Sequence, residues 1–276
     1  MDGSLSLGPA QYRLIVTPPD VLIVVPTLGQ RPHHLVECLA SIASQDPRPD
    51  IVVVGPDTPE VRSAAESVEA DWLLDPGSQA QAINAGVESS SASIKYVNWL
   101  GDDDLLEPGS VSVTMRAMEA TPEATVAYGS CRYIDDEGNP LWVNSAGPWA
   151  SRILAWGPDL IPQPGMLVRL DAWRAVGGLD ETYRFAFDLD LLLKLKRLGP
   201  LIDVGHVVSS FRWHPDSLTV GDRDTNLAES ERAKRNALSP RARSLAWLWE
   251  GPVRLATRVA AHEVNRRAAR ARGQKR

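Results

Sequence analysis

The chain has 276 residues, of which 43% are hydrophobic and 23% charged, and its net charge is -6. This composition excludes disordered, collagen-like and disulfide-stapled proteins and is enough for one large hydrophobic core. The two cysteines, Cys38 and Cys131, indicate a reducing compartment. No apolar run approaches a membrane span, and Asp2 stands where a signal peptide is positively charged, so we expect a cytoplasmic protein with a flexible arm at residues 1–19.

Charge is divided unevenly along the chain. Residues 232–276 carry a net charge of +11, whereas residues 1–231 carry -17. An acidic body does not attract polyanions, and no nucleic-acid recognition module accompanies the basic segment. We therefore predict no nucleic-acid partner.

The first half of the chain alternates strand and helix patterns. Residues 21–26 and 51–54 are β-branched runs typical of strands buried on both faces, and residues 33–44 between them carry an apolar helical stripe. The same patterns predict further helices and strands: helices at 59–70, 79–88 and 108–119, strands at 72–74 and 94–100. Such alternation predicts an α/β fold with a mainly parallel, doubly wound sheet.

After residue 125 the pattern becomes that of an antiparallel extension. The runs VAYGSCRYI and LWV flank a DDEGNP turn and predict a hairpin. A strand at 166–169 and helices at 171–176 and 188–198 complete the predicted body. A polar, glycine-containing segment then predicts a boundary, giving a domain at 20–225 and a basic amphipathic helical tail at 226–276.

Three consecutive carboxylates, Asp102, Asp103 and Asp104, follow the strand predicted at 94–100. The carboxyl ends of central strands are where open α/β sheets bind ligands. Clustered carboxylates are costly to ionise together unless they share a cation, and Mg²⁺ or Mn²⁺ takes such ligands together with substrate phosphates. The position favours a metal and diphosphate site over the alternative, an acidic helix N-terminus.

Four segments in order make the sequence resemble the family 2 glycosyltransferases of the GT-A fold, inverting enzymes that use nucleotide-diphosphate sugars. They are VVPTLGQRPHHLVECLASIASQ, DPGSQAQAINAGV, WLGDDDLLEPGSV and QPGMLVRLDAWRAVGGLDETYRFAFDLDLLLKL. The resemblance covers roughly residues 20 to 220 and implies a single GT-A-like domain whose antiparallel extension lies on the acceptor side. It further implies a metal-dependent hexosyltransferase of cell-envelope polysaccharide synthesis, with a UDP-sugar as default donor and a glycan or lipid-linked acceptor.

By position, the resemblance makes Asp104 the principal metal ligand, Asp102 its neighbour facing ribose or metal, and Asp188 the catalytic base. These residue types suit the reaction, because the leaving diphosphate must be neutralised and the acceptor hydroxyl deprotonated. Asp188 and Asp190 also open an apolar helix, where acids complement the dipole. Because they are two residues apart, their side chains lie on different faces of the helix, so we expect Asp190 to be structural. Phe187 stands where the family often has Glu.

The resemblance also implies contacts on the nucleotide side. They are Pro26, Thr27, Arg31, Asp57, Asp75, Asn84 and His214. The alternatives are a solvated residue for Arg31, a bond within its own helix for Asn84 and a structural histidine for His214. Gly55 stands where the family has a base-binding Asp, so Asp57 either replaces that acid or is an ordinary turn residue.

The basic tail and the tryptophans leave further alternatives open. Residues 240–276 suit an anionic membrane surface at the inner face of the cell membrane, or a helix packed on the acidic body or on a partner. Aromatic faces suit the apolar side of sugar rings, so some tryptophans are candidate sugar platforms, although most are expected in the core. These candidates are Trp99, Trp142, Trp149, Trp156 and Trp173.

Two other functions fit parts of the sequence. Asp102 and Asp104 after a strand resemble the nucleophile and acid of haloacid-dehalogenase-type phosphohydrolases, although Leu106 stands where that family has Thr or Val. Gly55 and Phe187, at positions where family 2 members are often acidic, fit a non-catalytic sugar-nucleotide-binding protein.

Overall fold

The computed structural model describes residues 20–145, 147–213, 223–245 and 247–254. No helix within these ranges combines the length and the apolar character that crossing a membrane requires. The predicted arm at 1–19 and residues 255–276 of the predicted tail lie outside the described residues.

The described residues form a sheet of nine strands. The strands are β1 Val21–Pro26, β2 Asp50–Gly55, β3 Asp71–Leu74, β4 Tyr96–Trp99, β5 Leu105–Leu106, β6 Val126–Ile134, β7 Pro140–Asn144, β8 Leu167–Arg169 and β9 Leu201–Arg212. Their order is β3-β2-β1-β4-β8-β6-β9-β5, and β7 pairs with the outer part of β6.

The sheet is parallel where the sequence predicts it and mixed beyond. Strands β3, β2, β1 and β4 are parallel, with Val24 opposite both Val52 and Trp99. Strand β8 is antiparallel to β4 and to β6, whereas β9 runs parallel to β6. The carboxyl ends of β1 and β4 are therefore adjacent at one edge, where the Pro26-Thr27 turn and the Asp102–Asp104 cluster emerge. The predicted α/β class with an antiparallel extension is confirmed.

Nine helices lie in the described part of the chain. They are α1 Pro32–Ala43, α2 Pro59–Ser67, α3 Gln79–Glu88, α4 Ser110–Ala120, α5 Ala150–Ile153, α6 Leu170–Val176, α7 Phe187–Leu195, α8 Arg223–Ala237 and α9 Pro240–Ser244, and residues 247–254 are also helical. The starts follow local chemistry: α2 begins with Pro59 after the Thr58 cap, and α3 with a capping box between Ser78 and Gln81. Sequence patterns missed β5 and α5, which are too short to show a period.

The core has two halves, one on each face of the sheet. Successive β1 side chains alternate between them: Leu22 and Val24 pack with α3 and α7, and Ile23 packs with α1 and α2. Helix α3 approaches β1 so closely that a Cβ on Gly86 would lie 2.5 Å from Val24 Cγ1. The glycine of the Ala-x-Asn-x-Gly segment is thus required by helix-to-sheet packing.

The first part of the predicted tail belongs to the packed body. The predicted boundary after residue 225 falls inside α8, which lies against α7 and buries Ala233. Arg197 of the body donates to the carbonyls of Asn236 and Ala237 at the end of α8. The first helix of the predicted tail therefore packs on the acidic body.

Candidate active site

A cleft of about 1600 Å³ opens at the carboxyl ends of β1 and β4. Most of the predicted site residues line it: Pro26, Thr27, Arg31, Asp75, Asp102, Asp104 and Asp188. The structure does not bring Asp57 or Asn84 to this cleft, and His214 lies outside the described residues.

Thr27 and Asp102 lock the ends of β1 and β4 together. Thr27 Oγ1 donates to Asp102 Oδ2 at 2.5 Å and accepts from the backbone N–H of Gly29 at 2.9 Å. The Thr27 N–H continues the β1–β2 ladder by donating to Val54 O at 2.9 Å. Burial raises the pKa of Asp102 despite the Thr27 hydrogen bond. The motif threonine therefore orients the first aspartate of the cluster.

Arg31 and Asp103 form the next contact along the cleft floor. Arg31 Nη1 lies 2.8 Å from Asp103 Oδ2, and the Arg31 side chain is about one-third exposed to the cleft. The guanidinium thus lies beside the carboxylate cluster. Asp103 was not among the predicted site residues, because its identity as the partner of Arg31 depends on a contact across 72 residues.

Asp104 is the most enclosed carboxylate of the cluster, at 4% exposure. Its Oδ1 accepts from the backbone N–H of Arg212 at 3.0 Å. Burial, followed by the charges of Asp103 and Asp102, raises its pKa well above the ordinary value. A cation is the natural partner for such a group, because it removes the repulsion that opposes ionisation.

Arg212, at the end of β9, is a site residue that sequence reasoning missed. It is 1% exposed, and its guanidinium donates to Asp103 O at 3.0 Å, to Asp136 O at 2.5 Å and to Glu37 Oε2 at 2.7 Å. These hydrogen bonds connect the aspartate loop, residues 101–104, to β9 and to α1. Arg212 is the last residue of β9, directly after Phe211, and no local pattern in this strand pointed to its contacts with the aspartate loop.

The donor set fits a hard divalent cation that is completed by substrate oxygens. No three His, Cys, Asp or Glu side chains converge into a full protein ligand set within the part of the chain that the structure describes. Mg²⁺ commonly takes one or two carboxylates and fills its remaining positions with phosphate oxygens and water. Asp104, which is buried, and Asp102, which is partly buried, both line the cleft and fit that mode of binding.

Asp188 lines the same cleft from the N-terminus of α7. Its Oδ1 accepts from the N–H of Leu189 at 2.7 Å, and burial raises its pKa to about 6. Asp190 turns to the other face, where it is buried and forms an ion pair with Lys194 Nζ at 2.7 Å. Asp188 is therefore the acid of this pair that faces the cleft.

The start of α7 receives an acid from another helix. Glu229 of α8 accepts from the backbone N–H groups of Arg184, Phe185 and Ala186 at 3.0, 2.7 and 3.1 Å. Partial burial opposes ionisation, but these donors together hold the pKa of Glu229 below its ordinary value. A carboxylate thus stabilises the segment before Asp188, although the sequence has Phe187 where the family often has Glu.

Asp159 is a second cleft acid that the sequence analysis missed. It lines the cleft, and its Oδ1 accepts from the N–H of Ile161 at 3.2 Å. Desolvation by the surrounding protein, and after it the negative charge of Asp188, raise the pKa of Asp159. Nearby, Gln163 donates to Trp99 O at 2.7 Å and fixes this loop to the end of β4. The loop carries no periodic pattern, so its approach to Asp188 is a tertiary result.

Asp57 and Asn84 lie outside the cleft, where Asp57 fits the turn-residue alternative and Asn84 has neither of the two placements considered for it. Asp57 is exposed and pairs with Arg62 Nε at 2.8 Å, which lowers its pKa, so it is a turn acid at the start of α2. Asn84 neither faces the cleft nor bonds within its helix: its amide donates to Leu179 O at 2.9 Å and accepts from Leu179 N at 3.0 Å. It ties α3 to the Gly-Gly loop ahead of α7.

Sequence comparison finds similarity to an uncharacterised protein, to an O-antigen biosynthesis protein and to chondroitin synthases. The chain is 27% identical over 240 residues to an uncharacterised protein, y4gI, of Sinorhizobium fredii, covering 80% of this chain and 25% of that protein. It is 26% identical over 237 residues to the O-antigen biosynthesis protein RfbC of Myxococcus xanthus, covering 80% and 18%. It is 24% identical over 144 residues to a chondroitin synthase of Escherichia coli, covering 52% and 21%. The chain thus spans a quarter or less of these relatives.

Structure comparison identifies the fold. The crystal structure of S. aureus TarS residues 1–349 in complex with UDP-GlcNAc has a TM-score of 0.60 at 13% identity, covering 82% of this chain and 70% of that one. The structure of the same TarS segment alone gives 0.57 at 14% identity, covering 82% and 69%. No family model matches the chain. These similarities confirm the glycosyltransferase fold and the resemblance to family 2 enzymes.

Proposed function

We propose that this chain is a metal-dependent, inverting glycosyltransferase of the family 2 type. It moves a hexosyl group from a nucleotide-diphosphate donor, with a UDP-sugar as the default, to a hydroxyl of a glycan or lipid-linked acceptor. The observation that carries the proposal is a single cleft that is lined both by the Asp102–Asp104 cluster, after β4, and by Asp188, at the start of α7. One end suits a diphosphate with its cation and the other a general base.

The residues divide the reaction between them. Asp188, ionised, takes the proton of the acceptor hydroxyl as that oxygen bonds to the anomeric carbon, while the bond from this carbon to the donor diphosphate breaks. A single displacement inverts the anomeric centre. When bound, the cation neutralises the charge that develops on the leaving diphosphate. Asp104 and Asp102 would hold it, and Arg31 would face the same phosphates.

The donor side of the proposal rests on the ends of β1 and β3. Pro26, Thr27 and Asp75 line the cleft beside the aspartate cluster, in position to meet a nucleoside. The TarS segment was solved in complex with UDP-GlcNAc, which supports a nucleotide-sugar donor for this fold. The phosphohydrolase alternative is not favoured. Asp102 accepts a hydrogen bond from Thr27 and Asp104 is nearly enclosed, which is a poor arrangement for a nucleophile and an acid.

Titration calorimetry with UDP and Mn²⁺, combined with turnover assays on a UDP-sugar panel, tests the proposal. We expect Asp104→Asn to lose the Mn²⁺-dependent part of UDP affinity. We expect Asp188→Asn to keep UDP affinity and to lose about 10²- to 10⁴-fold in turnover, the usual contribution of general base catalysis. Glu66→Gln, an exposed change on α2, is the control and leaves both quantities unchanged. Full turnover in Asp188→Asn, or unchanged Mn²⁺-dependent affinity in Asp104→Asn, contradicts the proposal.

We also propose that the end of the chain contacts an anionic membrane surface at the cytoplasmic face, which would bring the cleft to lipid-linked acceptors. Leu245, Trp247 and Leu248 are 50%, 70% and 53% exposed, and Arg241 and Arg243 precede them in α9. Exposed apolar and basic side chains side by side are typical of peripheral membrane segments.

A further inference from the structure

The cleft continues past Asp188 into a second region formed by two tryptophans from distant parts of the chain. Trp156, just after α5, and Trp249, in the helical residues 247–254, both line this region. Their ring centroids are 4.7 Å apart with the planes tilted by 57°. Trp156 remains 45% exposed, so part of its ring is open to the cleft.

Packing separates Trp156 from the other candidate sugar platforms. Trp99 and Trp173 are buried and pack edge to face in the core. Trp142 is stacked on Tyr133 with ring centroids 4.4 Å apart. Trp149 is 67% exposed but lies outside the cleft, with Arg152 over its ring. Among these five, Trp156 alone is both exposed and inside the cleft.

Charged side chains from α8 and the following helical segment surround the aromatic pair. Arg254 donates to both carboxylate oxygens of Glu231, at 2.7 and 2.6 Å, and Arg235 pairs with Glu250. All four residues line the cleft. Planar guanidinium and carboxylate groups fixed in such pairs present donors and acceptors in a defined orientation, which suits the paired hydroxyls of a sugar.

A lysine positions the aromatic wall. Lys234 Nζ donates to Gly157 O at 2.6 Å, directly after Trp156 in the chain. Helix α8 is itself held on the body through Glu229 and α7, as described above. The tryptophans, the ion pairs and Asp188 therefore line one cleft, and α8 carries contacts to both the aromatic wall and the start of α7.

We propose that the Trp156–Trp249 region is an acceptor subsite that binds a saccharide chain through ring stacking and the flanking ion pairs. This inference rests on the proposed function and adds to it the class of acceptor portion that is recognised. The cleft volume of about 1600 Å³ exceeds the roughly 300–1,000 Å³ of a pocket for one small ligand, so donor and saccharide fit together. A lipid surface does not fit this region, because the aromatic pair lies inside the cleft.

A printed array of bacterial and animal oligosaccharides of three to six sugars, probed with the labelled full chain, tests the subsite. We expect the wild type to bind at least one oligosaccharide, and Trp156→Ala and Trp249→Ala to weaken that binding about tenfold, because each removes an aromatic ring on which a sugar stacks. Trp149→Ala, which removes an exposed tryptophan outside the cleft, is the matched control and binds like the wild type. UDP affinity is measured in every variant and stays unchanged.

The outcomes separate this inference from the proposed function. If the wild type binds UDP but no oligosaccharide, or if Trp156→Ala binds as well as Trp149→Ala, the subsite is overturned while the donor site stands. If the wild type binds no nucleotide diphosphate, the proposed function fails first. Retention of UDP affinity by Trp156→Ala also shows that the variant is folded, so a loss of glycan binding is assigned to the subsite.

Discussion

Burial moves the acid–base behaviour of Asp188 in the direction that a general base needs. An ordinary aspartate with a pKa of 3.8 is a weak base, whereas burial raises the pKa of Asp188 to about 6. A base works best when its pKa approaches the working pH while it is still ionised. Because the pKa is raised in the folded state, ionisation of Asp188 lowers the free energy of unfolding. As a base, Asp188 would therefore gain reactivity while the protein loses stability.

The pH profile of turnover is the first residue-scale prediction. Because the base must be ionised, kcat/KM falls as the pH drops below about 6 and reaches a plateau above it. The folded pKa of Asp188 is raised, so its ionisation reduces stability as the pH rises from its ordinary value of 3.8 through 6. We therefore expect Asp188→Asn to have a higher Tm than the wild type at pH 7. A lower Tm, or an acid limb near pH 4, contradicts this account.

Residue identity alone did not decide which acids reach the cleft. Asp57 and Asp159 are both acids in loops, and only the second faces Asp188. The local sequence of Asp57 already contains its partner Arg62, five residues away on the same helix start. Asp159 has no such local signal, because its neighbours in space come from α7 and α8.

At the scale of elements, the start of α7 depends on α8. Three backbone N–H groups that precede Asp188 donate to Glu229: those of Arg184 and Phe185, in the turn before α7, and that of Ala186, its N-cap residue. Phe187 stands where family 2 glycosyltransferases often have Glu. The negative charge next to this segment is that of Glu229 in α8, about 40 residues later in the chain. Position in sequence therefore does not identify the group that fixes this helix.

The Glu229→Gln variant tests that coupling. The amide keeps an acceptor but loses the charge, so we expect a loss of about 1–2 kcal/mol in unfolding free energy and a lower kcat with little change in KM for the donor. The folded pKa of Glu229 is depressed, so its stabilisation is present above the ordinary value of 4.5 and is lost as the pH falls through the lower folded value. Denaturant unfolding at pH 7 measures it, with Glu119→Gln, exposed on α4, as control. Equal stability of the two variants would show that Glu229 is dispensable.

At the scale of the whole molecule, the basic and acidic parts of the chain are partly joined by packing. Helix α8 and residues 247–254 lie on the body and form ion pairs within the tail, including Arg254 with Glu231. The remaining excess of positive charge lies in the last part of the chain. Its attraction to anionic lipid is electrostatic and is screened by salt.

Vesicle co-sedimentation measures that attraction. We expect the full chain to sediment with phosphatidylcholine vesicles that contain 30% phosphatidylglycerol in 50 mM salt, and to be released as salt rises to 500 mM. Trp247→Ala weakens binding, because an exposed interfacial tryptophan is removed, whereas Trp149→Ala does not. Equal binding to neutral vesicles, or no effect of Trp247→Ala, contradicts membrane contact through this segment.

The sequence alone determined the order of most helices and strands, the burial of β1 and β2 on both faces and the carboxylate cluster after β4, because each is encoded by neighbouring residues with a regular pattern or by a contiguous motif. Tertiary structure decided which of these groups meet. It placed Asp159 beside Asp188, joined Trp156 to Trp249, brought Arg212 to the aspartate loop and left Asp57 and Asn84 outside the cleft. These contacts join positions far apart in the chain, and they follow from sheet order and helix packing, which no local pattern records.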